Sequence, residues 1–229
     1  MKNHFRPLIA VMGLFMLNLM IAAQPTDPDA YLSWTADQAE RIGKSARTNG
    51  KVGSAFDFRI INTNHAINYK LRATLLTPEV IRAAARLEQL RNRLTREQTK
   101  LMVEEAESSG DLIVMVEIDP REGSGVIPLD WRVFLQSKDY REGKTGSWAI
   151  TGVKRPDLRK LKALAGVFKR DYNYDAFWVT FSLVDEKRSP LIPADTAEFE
   201  LFVGIHAKEG RVGWRIPESI KQKTKSLSN

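Results

Sequence analysis

The sequence predicts a mainly β fold: an antiparallel β-sandwich of the immunoglobulin-like or a related type, with a helical insertion. Segments in which apolar and polar residues alternate recur along the chain, and turn residues separate them. Between two of these segments, over residues 77–108, the apolar period changes to that of a helix. Helices do not follow the strands regularly, so a parallel sheet built from βαβ units is the less favoured alternative.

The composition fits one folded domain and excludes several classes of protein. The chain has 229 residues, of which 43% are hydrophobic and 28% charged, and it contains no cysteine. A disulfide framework, a thiol enzyme and a cysteine-ligated metal centre are therefore excluded, because each needs sulfur.

The first 23 residues have the layout of a secretory signal peptide. Lys2 and Arg6 precede an apolar run over residues 8–23, which ends in two alanines before a polar stretch. We expect cleavage near Ala23 and export of the mature chain to the periplasm or the extracellular space. An uncleaved anchor helix is less favoured, because the run is shorter than the roughly 20 apolar residues that span a bilayer.

The mature chain opens with a helical or linker segment, residues 24–52, in which apolar residues recur at helical spacing. A single domain is predicted to follow over residues 53–217. Its first two strand candidates, residues 54–61 and 67–75, alternate apolar and polar side chains and predict an antiparallel hairpin.

The helical insertion at residues 77–108 begins with strong start signals. Thr77 can cap the helix, and Pro78 fits its first position. A second capping pattern, from Thr95 to Gln98, divides the segment into a helical hairpin or continues one long helix.

Strands are predicted to resume after the insertion. The segment 112–118 is apolar on both faces, so both faces should be covered. Further alternating segments are residues 129–136, 177–183, 199–205 and 212–216, the last two forming a hairpin. The tail, residues 218–229, is polar and basic and is predicted to be disordered.

Residues 154–171 are the main charge anomaly, with seven Lys and Arg against two Asp. Apolar residues at helical spacing predict a short basic helix at about 156–168. Such a helix can bind an anionic membrane or envelope surface, and the candidate residues are Arg159, Lys160, Lys162, Lys169 and Arg170. Alternatively, its apolar face packs on the sheet and its cations are only solvated. Nucleic acid is an unlikely partner for an exported chain.

Trp178 is the best candidate for an aromatic residue that stacks on a ligand. It lies on the opposite strand face from Phe177 and Val179, and Tyr172 and Tyr174 are close in sequence. The alternative is that the helical insertion covers the Trp178 ring.

Motifs that carry chemistry are scarce. The sequence has no H-E-x-x-H, P-loop or G-x-S-x-G pattern, so we predict no catalytic residue, metal ligand or cofactor. The loop Asp119–Gly125 could hold calcium, although a solvated loop is favoured.

The sequence therefore predicts an exported, non-enzymatic domain that binds a protein, a glycan or an envelope component. Two alternatives stay open. One is a peripheral membrane protein that uses residues 154–171. The other is a hydrolase of envelope polymer with two carboxylates about 5–10 Å apart.

Overall fold

The computed structural model describes residues 27–50, 68–121, 127, 130–138, 140–166, 175–205 and 208–228. Within these residues the chain forms four α-helices and eight strands, and the helices account for about as many residues as the strands. The fold is therefore mixed α/β, with more helix than the predicted mainly β class.

The regular elements follow one another in this order: α1 Ala36–Asn49, β1 Asn68–Leu75, α2 Pro78–Asn92, α3 Arg96–Ser108, β2 Leu112–Arg121, β3 Arg132–Ser137, β4 Ala149–Thr151, β5 Val153–Lys154, β6 Asp175–Phe181, β7 Glu198–Ile205, β8 Lys208–Arg215 and α4 Glu218–Ser228. Short 3-10 helices lie at Ala30–Ser33, Pro156–Lys160 and Lys162–Leu164.

The strands form two antiparallel sheets of four strands each. Sheet 1 has the order β1-β2-β6-β5, and sheet 2 has the order β4-β3-β7-β8. Among the described residues neither sheet closes into a barrel, and β1, β5, β4 and β8 lie at the sheet edges there. The chain visits the sheets in alternating pairs of strands.

Buried side chains form one core cluster between strands of the two sheets and another between sheet 1 and the helices. Val114 and Val116 of β2 belong to the first cluster, and Ile113 and Met115 belong to the second. The prediction that both faces of β2 are covered is confirmed.

The helical insertion is a hairpin of two helices. Thr77 accepts a hydrogen bond from the Val80 backbone N–H at the start of α2. The helix ends at Arg93, whose backbone is left-handed, and the capping box of Thr95 and Gln98 then starts α3. The signals in the sequence therefore locate both helices.

Two predicted segments differ in the structure. Residues 218–228 form α4 rather than a disordered tail, because Ile220 is buried and Leu227 packs against the core. The predicted basic helix at 156–168 is instead two short 3-10 helices up to residue 164, and residues 167–174 lie outside the described part of the chain.

The predicted hairpin of β7 with β8 is confirmed, with Ile205 opposite Lys208. The predicted strand at residues 54–61 lies outside the described residues. Just before it, Gly50 accepts a hydrogen bond of 3.0 Å from the Ala73 backbone N–H of β1.

Candidate functional site

An open cleft of about 820 Å³ lies between α1, the start of α2 and the C-terminal end of β8. Its volume falls within the roughly 300–1,000 Å³ of typical small-ligand sites. Side chains of several types line it: Arg41, Ile42, Ser45, Ala46, Asn49, Leu75, Thr77, Val80, Trp214, Arg215 and Pro217, together with Gly213.

Helix α1 supplies one wall of the cleft. A capping box, in which Thr35 and Gln38 exchange hydrogen bonds, starts the helix. Arg41, Ser45 and Asn49 are spaced four residues apart, so they lie along one helix face and line the cleft as a polar stripe. Ile42 and Ala46 on the neighbouring stripe pack partly into the helix-side core and add apolar surface.

The edge of β8 supplies the opposite wall. The Ile216 backbone N–H, just after β8, donates a 2.9 Å hydrogen bond to the backbone oxygen of Ala197, just before β7. Ala197 and Ile216 are therefore a hydrogen-bonded pair of the ladder between these strands. In an antiparallel ladder, bonded and non-bonded pairs alternate. Gly213 and Arg215 therefore direct their backbone N–H and C=O groups away from β7, toward the open edge that borders the cleft.

Trp214 anchors this end of β8 in the core. Its ring packs edge-on against Phe199, with centroids 5.9 Å apart, and contacts the cluster shared by both sheets. Trp214 is also among the residues that border the cleft. The edge of β8 is therefore held by a residue that also offers apolar surface to a ligand.

The charge of the cleft is positive. The described residues that line it include two arginines, Arg41 and Arg215, and no Asp or Glu. The Arg215 side chain is 92% exposed, and its Nε lies 3.9 Å from Glu198 Oε1. A shorter bond of 3.0 Å from Lys138 engages Glu198 and is the main reason that the pKa of this carboxyl is lowered. The Arg215 side chain is therefore exposed and only loosely paired with Glu198.

The 3-10 helices that replace the predicted basic helix are fixed by buried apolar residues. Leu158 and Leu164 are almost fully buried in the helix-side core. Arg159, Lys160 and Lys162 are exposed, and Lys162 Nζ forms an ion pair of 2.9 Å with Glu88. The apolar side of this segment is docked, and three of the five predicted surface-binding cations point to solvent.

Trp178, the predicted stacking residue, lies in the core. It is 1% exposed, and its indole N–H donates to the Leu164 backbone oxygen at 2.8 Å. Of the two interpretations of this residue, coverage of the ring is the one that the structure shows. The other predicted residues of this region, Lys169, Arg170, Tyr172 and Tyr174, lie outside the described residues, as does most of the Asp119–Gly125 loop.

Glu107 and Asp111 are two carboxylates that border one small cavity of about 160 Å³. Arg82 Nε lies 3.0 Å from Glu107 Oε1, and Asp111 accepts a 3.0 Å hydrogen bond from the Leu183 backbone N–H. The cavity is smaller than usual ligand sites. Both acids therefore serve as structural links, Glu107 through its contact with Arg82 and Asp111 through its contact with Leu183.

Lys223 of α4 borders the same cavity and caps the end of α3. Its ammonium group donates to the backbone oxygens of Glu107 and Gly110, at 3.2 and 2.7 Å. Cations are favourable at a helix C-terminus, whereas burial is the main cause that lowers the Lys223 pKa. The contacts of Lys223 attach α4 to the helical insertion.

Metal-binding groups and membrane-spanning helices are both absent from the described residues. No group of three or more His, Asp or Glu side chains there could hold a metal ion. In the same part of the chain, no helix has the length and apolar character to cross a membrane.

Comparisons of the chain with protein-family models, with curated proteins and with solved structures give no match. A functional proposal for this chain therefore rests on its sequence pattern and its geometry. The cleft escaped sequence reasoning because its walls come from residues more than 160 positions apart. Only the polar stripe of Arg41, Ser45 and Asn49 was visible as a local signal.

Proposed function

We propose that this chain is an exported, non-enzymatic binding domain whose two sheets pack as a β-sandwich, and that the cleft between α1 and β8 binds an extended, acidic segment of a partner protein. The observation that carries this proposal is that no described strand pairs with β8 on the side that borders an apolar, cationic cleft. Export rests on the layout of residues 1–23.

The sandwich arrangement is supported by the core cluster that both sheets share. Val114 and Val179 of sheet 1 join Val133 and Leu201 of sheet 2 in one group of buried side chains. Two sheets whose inner faces contribute to the same core are the basic pattern of a sandwich. In that arrangement the cleft lies along one side, where β1 and β8 are both edge strands.

Strand addition is the recognition mode that suits the edge of β8. Edge strands present unpaired N–H and C=O groups, and an extended peptide can pair with them. Gly213 and Arg215 offer these groups on the cleft side, and α1 forms a facing wall. Because backbone pairing is independent of sequence, alternate side chains of the peptide supply the specificity.

Acidic side chains are the complement of this cleft. Arg41 and Arg215 are both exposed, and no carboxylate from the described part of the chain lines the cleft with them. Opposite charges across an interface speed association and exclude wrong partners. Apolar residues between the acids would contact Ile42, Ala46 and Trp214.

Fluorescence anisotropy with short labelled peptides that alternate Asp or Glu with Val or Ile tests the proposal. We expect saturable binding that weakens as salt rises. The double variant Arg41→Glu and Arg215→Glu should bind about tenfold more weakly. The matched control is Arg141→Glu with Arg188→Glu, because both arginines are exposed and lie outside the cleft. The control should bind as the unchanged chain does.

Backbone pairing has its own readout. A bound peptide should slow hydrogen exchange at the amides of Gly213 and Arg215, because these groups gain partners. Peptides N-methylated at alternate residues lose their donors and should bind about tenfold more weakly. Equal binding of methylated and unmodified peptides would exclude strand addition, and failure of every acidic peptide to bind would overturn the proposal.

A second candidate function is binding to an anionic envelope surface through Arg159, Lys160 and Lys162. The specific observation is that Leu158 and Leu164 anchor this segment, so that it presents the three cations outward. Sedimentation with vesicles of equal parts phosphatidylglycerol and phosphatidylcholine tests it. Binding should disappear at high salt and in the Arg159→Gln, Lys160→Gln double variant. Binding only to pure phosphatidylcholine, or none, would exclude this function.

A further inference from the structure

A second cavity, of about 570 Å³, lies between α4 and the loop that precedes β7. It is separate from the cleft at α1, since it borders α4 along its length and residues 190–196. Its volume is again that of a small-molecule site.

The floor of this cavity is apolar. Ile192 and Ile220 are 6% and 3% exposed and belong to the core shared by the sheets, and Ile216 packs against the same core. Pro190 and Pro193 form part of the wall, and neither has a backbone N–H. A hydrocarbon chain that packs there would therefore bury no unpaired backbone donor at either proline.

The exposed side of the cavity is cationic. Lys221 and Lys225 are one helical turn apart on α4, and both line the cavity. Among the described lining residues the acid is Glu218, whose Oε2 lies 3.9 Å from Lys221 Nζ, too far for a hydrogen bond. Two ammonium groups therefore border an apolar floor with a single, loosely held counter-charge.

The neighbouring hydroxyl groups do not reverse this character. Thr224 donates its hydroxyl to the Ile220 backbone oxygen at 2.9 Å, and Ser228 donates to the Thr224 oxygen at 2.8 Å. Both donors are used within the helix, so the lysines are the groups best able to hold an anion.

We propose that this cavity binds a single-chain amphiphile with an anionic head group. The hydrocarbon chain packs against Ile192, Ile216 and Ile220, and the head group lies between Lys221 and Lys225. Such a ligand uses both the apolar floor and the two cations. A free inorganic anion would gain nothing from the floor, and a neutral hydrocarbon would gain nothing from the lysines.

Isothermal titration calorimetry with laurate, below its micelle concentration, tests the inference on the full mature chain. We expect saturable one-to-one binding, with weaker binding of dodecyl maltoside and weakest binding of dodecyltrimethylammonium. Lys221→Gln with Lys225→Gln should reduce the laurate affinity about tenfold and leave the maltoside affinity unchanged. The matched control, Lys144→Gln with Lys187→Gln, changes two exposed lysines elsewhere and should have no effect.

A variant that fills the cavity tests the contribution of the apolar floor to binding separately from that of the lysines. Ala194 lines the cavity on an exposed loop, so Ala194→Phe adds volume there without replacing a buried residue. This variant should weaken laurate and dodecyl maltoside alike, and near-ultraviolet circular dichroism checks that it folds. Any of three results would overturn the inference: equal affinity for laurate and dodecyltrimethylammonium, unfolding of the chain in place of saturable binding, or no binding at all.

Discussion

Arg47 of α1 and Glu117 of β2 form a two-point ion pair, in which the guanidinium Nε and Nη2 donate to the two carboxylate oxygens at 3.2 Å each. The Glu117 side chain is 2% exposed and that of Arg47 is 18% exposed. The pair joins the helix that forms one wall of the cleft to a central strand of sheet 1. The position of α1 therefore depends on the ion pair between Arg47 and the buried Glu117 carboxylate.

Replacing Arg47 should destabilise the whole fold. Loss of one partner of a buried ion pair leaves an uncompensated charge and typically costs about 3–5 kcal/mol. We expect Arg47→Leu to lower the free energy of unfolding by that amount, measured by urea denaturation. Lys44→Leu, on the same helix, breaks the exposed Lys44–Glu40 pair and should cost at most about 1 kcal/mol. Equal effects of the two changes would contradict the structural role of Arg47.

Gly50 is expected to be intolerant of any side chain. A Cβ atom at this position would overlap the backbone oxygen of Ala73, and the shift needed would also strain the hydrogen bond between these residues. Overpacking costs about 1–3 kcal/mol, and more where backbone must move. Gly50→Ala should therefore lower the melting temperature clearly. Gly213→Ala is the control, because its Cβ would meet nothing closer than 4.0 Å.

We expect Lys223 to contribute a term to the free energy of unfolding that increases as the pH rises in the alkaline range. Burial lowers its pKa in the folded chain, so the unfolded chain binds more protons between that lowered value and the ordinary value of 10.5. Stability gained through this group is therefore present above 10.5 and is lost as pH falls through the folded pKa. The difference in unfolding free energy between the unchanged chain and Lys223→Met should shift in favour of the unchanged chain across this window. A difference independent of pH would contradict a lowered pKa.

Trp178→Phe should reduce stability without affecting peptide or laurate binding. The change removes the indole N–H that bonds to Leu164 and leaves space in the helix-side core. We expect a loss of about 2–3 kcal/mol from the lost hydrogen bond and packing together. Urea denaturation gives the loss, and the two binding assays described above give the comparison. Selective loss of binding at unchanged stability would show that Trp178 contacts a ligand.

Export predicts a defined change of mass. When the chain is expressed with its own first 23 residues, we expect intact-mass spectrometry of the secreted fraction to show a chain that begins near Gln24. Full-length mass in a membrane fraction would indicate an uncleaved anchor instead.

Local sequence signals were sufficient where the structure depends on neighbours along the chain. Thr77 and Thr95 start helices as their capping patterns predict, and the apolar residues on both faces of 112–118 identify a strand covered on two sides. The pairing of β7 with β8 also followed from the alternation of apolar and polar residues. These features depend on period and turn chemistry, which a single sequence displays.

Features that depend on distant contacts were not visible in the sequence. Helix α4 has a polar composition, and it forms because Ile220 packs into the core and Lys223 binds the end of α3. The segment 156–164 has helical spacing, but Leu158 and Leu164 are buried from two 3-10 turns. Strands as short as β4 and β5 give no period at all.

The order in which the chain visits the two sheets bears on how it can assemble. β1 and β2 enter sheet 1, β3 and β4 enter sheet 2, and β5 and β6 then return to sheet 1 before β7 and β8 complete sheet 2. A chain that stopped after Phe181 would contain all four described strands of sheet 1 but only β3 and β4 of sheet 2. The inner face of sheet 1 would then lack most of its cover. We therefore expect the core cluster that both sheets share to be completed only when the last hairpin emerges, and the unfinished nascent chain to be prone to aggregation until then.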